Sequence, residues 1–230
     1  MLFGVTGVLS ANVIDYFGAG TDLNVATFDD MNNVVVGVTT LTIAVPDVDI
    51  VDPGDSVTVS LMGLQYPWVG DLQATLSFAG TSGDVFNQIG LDSTNPVGSY
   101  TQFGDSGTID AGNYVFGSVC PPSGPSDIWA TADGLSYADS IPSGCYWPTT
   151  ALFPDNDNLS SQFDGLPTTG LWVLTITDYY PPDPYSGFTP GITEWELTID
   201  TTPEPSTAIP VALAGLLWCI RSRRRAANSR

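Results

Sequence analysis

Apolar and polar residues alternate with period two along several stretches of the chain. Ser56 to Leu61 places Val57, Val59 and Leu61 on one face and Ser56, Thr58 and Ser60 on the other. Asp71 to Ala79 repeats this, with Leu72, Ala74, Leu76 and Phe78 inward and Asp71, Gln73, Thr75 and Ser77 outward. Leu171 to Thr177 buries Trp172, Leu174 and Ile176, and Ile192 to Asp200 buries Trp195, Leu197 and Ile199. Such alternation belongs to antiparallel sheets with one covered face. Val34 to Val45 is rich in Val, Thr and Ile and reads as a further strand. Asp84 to Ile89 and Gly112 to Gly117 read as shorter ones, with Gly80 to Gly83 a turn. Residues 12–33 read as an irregular lead-in, 92–107 as a loop, and Ser118 to Asp164 as a long irregular segment. Helical periodicity is expected only in the tail. The pattern predicts an all-β, antiparallel jelly-roll sandwich of about eight strands over residues 34–200, plus a short C-terminal apolar helix.

Composition supports this reading. Gly (24) and Pro (18) are frequent, and all acidic residues except Glu194, Glu196 and Glu204 are Asp, which favours turns over helix interiors. A hydrophobic content of 43% argues against disorder. The net charge of −20 disfavours nucleic acid, whose binding depends on Lys and Arg at phosphates. So many carboxylates suit calcium or another hard cation, or simply a solvated surface. The chain has no His, and its five basic residues are all Arg. Ser-His-Asp, Cys-His, Ser-Lys and Schiff-base chemistry are therefore excluded, as is His-ligated zinc. The expectation is a noncatalytic protein.

Every basic residue lies after Ile220: Arg221, Arg223, Arg224, Arg225 and Arg230. Before them runs the apolar stretch Ala208 to Ile220, shorter than the ~20 residues of a perpendicular membrane span. Arginines directly after it fit a membrane stop with the body outside. Before the stretch stands Pro203-Glu204-Pro205-Ser206-Thr207. Motif, apolar segment and Arg cluster over residues 201–230 resemble the PEP-CTERM sorting signal of Gram-negative bacteria. That resemblance implies transient insertion in the inner membrane, processing by an exosortase, and delivery to the cell surface or exopolysaccharide matrix. An ordinary tail anchor is the alternative. At the other end, residues 1–11 read as a truncated signal peptide or as a first strand.

The body carries a second resemblance. Trp68-Val69-Gly70-Asp71-Leu72 is followed by Leu76 and Gly80-Thr81. Later come Phe163-Asp164-Gly165, then Gly170-Leu171-Trp172-Val173-Leu174-Thr175-Ile176-Thr177-Asp178, and finally Trp195-Glu196-Leu197-Thr198-Ile199. Over roughly residues 34–200 this resembles the P domain (P/Homo B domain) that follows subtilisin-like proprotein convertases. The resemblance implies a jelly-roll sandwich and, as an alternative role, an accessory module to a subtilisin-like serine endopeptidase. Tyr66 stands where the family often has His, and residues 1–33 are too few to hold a subtilisin-like catalytic domain.

Candidate sites are few. Asp71, beside Gly70, either caps a turn or ligates calcium; Asp178, ending a strand, is the second calcium candidate. Tyr179-Tyr180-Pro181-Pro182-Asp183-Pro184-Tyr185 is either a stacking platform for sugars or peptides or packing over the sandwich end. Asp155-Asn156-Asp157-Asn158 opens like a calcium loop, but Ser160 and Leu166 occupy the Gly and Glu positions, so it reads as a turn. Glu194 and Glu196 stand roughly 6.6–6.8 Å apart along one strand. They point the same way rather than across a cleft, which argues against glycoside hydrolysis. Cys120 and Cys145 either form a disulfide closing a loop of about 25 residues or remain buried thiols. Cys219 lies in the apolar tail segment. Candidate partners are thus an exosortase, exopolysaccharide or a protease.

Overall fold

The computed structural model describes residues 12–47, 49–90, 101–103, 112–120, 124–136, 139–149, 158–181 and 189–201. Thirteen strand segments lie among them. They are β1 (Asn12–Asp22), β2 (Thr27–Phe28), β3 (Val34–Val35), β4 (Gly37–Val45), β5 (Ser56–Leu64), β6 (Leu72–Phe78) and β7 (Thr81–Asn87), then β8 (Gln102–Phe103), β9 (Gly112–Phe116), β10 (Ser140–Ile141), β11 (Gly144–Tyr146), β12 (Gly170–Asp178) and β13 (Gly191–Thr201). Nine of them form two sheets. One has the order β1-β13-β5-β9-β11 and the other β4-β12-β6-β7. The four-stranded sheet is antiparallel throughout. In the five-stranded sheet, β11 runs parallel to β9.

The period-two pattern is the cause of this arrangement. β4 buries every second residue, and β6 and β12 bury Leu72, Ala74, Leu76, Phe78 and Trp172, Leu174, Ile176. Val57, Val59, Leu61, Trp195, Leu197 and Ile199 come from the other sheet into the same core cluster. The sheets meet directly where Phe86 of β7 lies 5.3 Å from Phe116 of β9. Trp172 is fully buried. Its ring stacks on Phe78 at 4.3 Å, and its Nε1 donates to the carbonyl of Thr168 at 2.8 Å. Such an aromatic pair contributes about 0.5–1.5 kcal/mol beyond its burial.

Several expectations change. Part of the lead-in, Asn12–Asp22, is a full strand beside β13. Its glycines disguised it: a Cβ on Gly18 would strike the Trp195 ring, and one on Gly20 the backbone of Ile192 and Thr193. Close approach, not a turn, requires them. Asp71 does not face outward. It ends a 3-10 turn (Val69–Asp71) ahead of β6 and is 5% exposed. The turn takes Asp71 out of the pleat, so strand alternation does not govern it. The polar face of β5 is also covered, with Ser56, Thr58 and Ser60 buried, and Ser160 Oγ of the 3-10 turn Leu159–Gln162 accepts from the Val57 amide. Thr81 to Gly83, read as part of a turn, begin β7. Within the segment read as irregular lies a short helix, α1 (Ile128–Asp133), capped by Asp127, whose Oδ1 accepts from the N–H groups of Trp129 and Ala130. Six residues are too few to show helical periodicity. No helix among the described residues is long and apolar enough to cross a membrane. The expected C-terminal helix lies outside them.

Candidate functional site: a buried pair of carboxyl groups

Strands β6 and β12 are neighbours, with Asp178 opposite Leu72. This register puts the residue before β6 beside the residues that leave β12. The amide of Tyr179 donates to the carbonyl of Asp71 at 3.0 Å. Asp71 and Asp178 are thereby brought together, 5% and 1% exposed. Tyr66, held by paired backbone bonds with Phe103 at 2.9 Å and fully buried, completes the group.

The two acids are not equivalent. Asp178 Oδ2 accepts from the amide of Ala26 at 2.7 Å, and its Oδ1 accepts from the amide of Tyr180 at 3.1 Å. The Asp71 side chain has no such donors among the described residues. Burial raises the Asp71 carboxyl, and the charge of Asp178 adds to this, to about 7. Burial also raises Asp178, but the Ala26 amide, the Tyr66 hydroxyl and the Tyr180 amide oppose it. The Tyr66 phenol is pushed far up, by burial first and then by the neighbouring carboxylates. Its Oη lies beside Asp178 but makes no hydrogen bond of good geometry. Residues 1–220 contain no positive side chain to neutralise the pair.

Calcium takes six to eight oxygens, so at this pair backbone carbonyls or water would have to supply the rest. Among the described residues, no three His, Cys, Asp or Glu side chains are grouped to hold a metal ion. Ionising two adjacent carboxyls in a low-dielectric site is disfavoured, which holds the Asp71 carboxyl above its ordinary value. The pair also anchors a loop, since Tyr179 and Tyr180 are both tied to it through their amides.

Of the other candidates, Tyr179 and Tyr180 join this group by their backbone amides and not by their rings. Tyr179 Oη donates to Gln73 Oε1 at 2.6 Å, and Tyr180 is 47% exposed. Pro182 to Tyr185 lie outside the described residues. Glu194 and Glu196 lie on one face of β13, opposite Met62 and Ser60. The Glu196 carboxyl is raised, chiefly by burial, against a bond from Ser60. Cys120 and Cys145 are joined in a disulfide with Cα atoms 6.1 Å apart, tying the segment after β9 to β11. Asp155 to Asp157 lie outside the described residues, while Asn158 caps a 3-10 turn by accepting from the Ser160 amide at 3.1 Å. The sorting motif Pro203, Glu204 and Pro205 and the arginines also lie outside them.

Two residues escaped sequence reasoning. Tyr66 stood out only as a departure from a family pattern, although a Tyr shortly before a buried Asp is a natural phenol–carboxylate pair. Asp84 gathers Gln73 Nε2, Thr75 Oγ1 and Asn87 Nδ2 at 3.0–3.1 Å on the solvent face of the four-stranded sheet. Its signal was register, Thr75 opposite Asp84, which becomes readable only once the strands are paired. No protein-family model, curated protein or solved structure matches this chain.

Proposed function

We propose that this chain is an exported, noncatalytic β-sandwich of jelly-roll, P-domain type, delivered to the bacterial surface or exopolysaccharide by its tail. The observation that carries the reading is the order of three parts: Pro203-Glu204-Pro205, the apolar Ala208 to Ile220, and the arginines from Arg221. A short polar motif fits recognition by a membrane protease. The apolar segment fits brief residence in the bilayer, and the arginines fit retention on the cytoplasmic side. Supporting this, the disulfide between Cys120 and Cys145 suits an oxidising compartment. An acidic body without Lys or His suits a hydrated matrix better than acid–base catalysis.

Mass spectrometry of the exported protein from a host with its exosortase tests this. The expected C-terminus lies near Pro203 to Thr207, and exported protein still ending at Arg230 would overturn the reading. A second reading, an accessory module to a subtilisin-like protease, is favoured by the Gly70-Asp71-Leu72 and Trp172 to Asp178 segments lying on or beside the paired strands β6 and β12. Stable co-purification with such a protease would support it.

A further inference from the structure

The carboxyl pair lies far in sequence from the sorting motif, at the point where three chain segments converge. Asp71 ends the turn before β6, Asp178 ends β12, and Ala26 belongs to the connection between β1 and β2. Beyond Asp178 the chain enters the aromatic Tyr179-Tyr180-Pro181 loop. That loop is held at its base by two bonds: Tyr179 N–H to the Asp71 carbonyl and Tyr180 N–H to Asp178 Oδ1. The fully buried Tyr66 hydroxyl, without a well-formed bond, faces the same carboxyls.

We propose that Asp71 and Asp178 hold one proton between them in the folded protein, and that this proton makes the base of the Tyr179-Tyr180-Pro181 loop a pH-sensitive anchor. Asp178 keeps the charge, because two backbone N–H groups point at it. Asp71 takes the proton, because no donor among the described residues serves its carboxylate. The groups facing the pair are Tyr66, Tyr179, whose hydroxyl is committed to Gln73, and the amides of Ala26 and Tyr180. None of these is a cation. Losing the proton leaves two like charges in a site nearly sealed from water, and opening the loop base relieves them. The two groups titrate as a coupled pair, with the proton resting chiefly on Asp71.

The sign follows from the raised Asp71 carboxyl. Its folded value of about 7 exceeds the ordinary 3.8. The folded state therefore binds the proton more tightly than the unfolded state. This contribution is complete below the ordinary value, falls as pH rises toward about 7, and is gone above it. Within that window the unfolding equilibrium constant rises through this group by up to about tenfold per pH unit.

The test compares thermal unfolding of the full chain with Asp71→Asn and Asp178→Asn across this range. The amide introduced by Asp71→Asn reproduces a neutral carboxyl, so that variant is expected to match wild type below about pH 4, to exceed its Tm increasingly as pH rises to about 7, and to keep that margin above it. Asp178→Asn leaves one side-chain oxygen for two amides and turns an NH2 group towards the other, so it is expected to lose stability at every pH. A protonated carboxyl seen by infrared spectroscopy in the wild type, titrating near neutrality and missing in Asp71→Asn, is the direct readout. If a variant does not fold, the wild-type titration alone decides, and its absence would overturn the proposal. Faster amide exchange at Tyr180 above about pH 7 than intrinsic base catalysis explains reports the loop. Equal destabilisation of Asp71→Asn at all pH values would overturn the proposal. So would a calcium-dependent rise in wild-type Tm that Asp71→Asn abolishes, which would make the pair a cation site.

Discussion

Trp195 is fully buried, and its Nε1 finds no acceptor among the described residues. Its ring lies against Gly18 of β1, where only the missing Cβ leaves room. Gly18→Ala is expected to destabilise the body by about 1–3 kcal/mol, the usual cost of overpacking, measured by urea denaturation. Unchanged stability would mean that β1 does not sit against Trp195. Tyr66 presents the opposite case. Tyr66→Phe removes a buried hydroxyl that makes no well-formed bond, so a change of less than about 1 kcal/mol is expected in the same measurement. A loss above about 2 kcal/mol would show that the phenol donates to Asp178. At this scale the sequence told the inward-facing residues well. Trp172, Leu174, Trp195 and Leu197 are where alternation put them. It misplaced Asp71, because a 3-10 turn breaks the period-two rule before β6 begins.

At the scale of elements, legibility followed length and side-chain size. The strands β4, β5, β6, β12 and β13 carry alternating β-branched or aromatic residues and were plain in the sequence. β1 was not, since Gly18 and Gly20 conceal an inward face that is defined by what packs against it. The helix α1 and the two- and three-residue strands are held by tertiary contact and a cap rather than by their own propensity. The Cys120–Cys145 bridge compensates in the least regular part of the chain. Replacing both cysteines by Ser is expected to cost about 3 kcal/mol on the loop-entropy estimate, read as a lower urea midpoint with a steeper slope as the unfolded chain becomes less compact. A variant as stable as wild type would mean that β9 and β11 hold this segment unaided.

For the whole molecule, charge is the governing quantity. All 25 acidic residues precede Arg221, and no described residue is basic. Long-range repulsion inside the body is therefore uncompensated, and screening relieves it. Raising ionic strength from about 0.02 M to about 0.2 M is expected to raise Tm, as followed by circular dichroism, the Debye length falling to about 10 Å near 0.1 M. A Tm that falls with salt would mean that attractive pairs dominate. The sequence by itself determined the β class, the inward faces of the long strands, the exclusion of His- and Lys-dependent catalysis, and the three-part tail. These depend on local periodicity and residue type, which one chain displays directly. Only the tertiary structure decided that Asp71, Asp178 and Tyr66 share one buried site and that Gly18 belongs to a strand. Those facts depend on register between segments far apart in the chain, and register is set by packing the two sheets together.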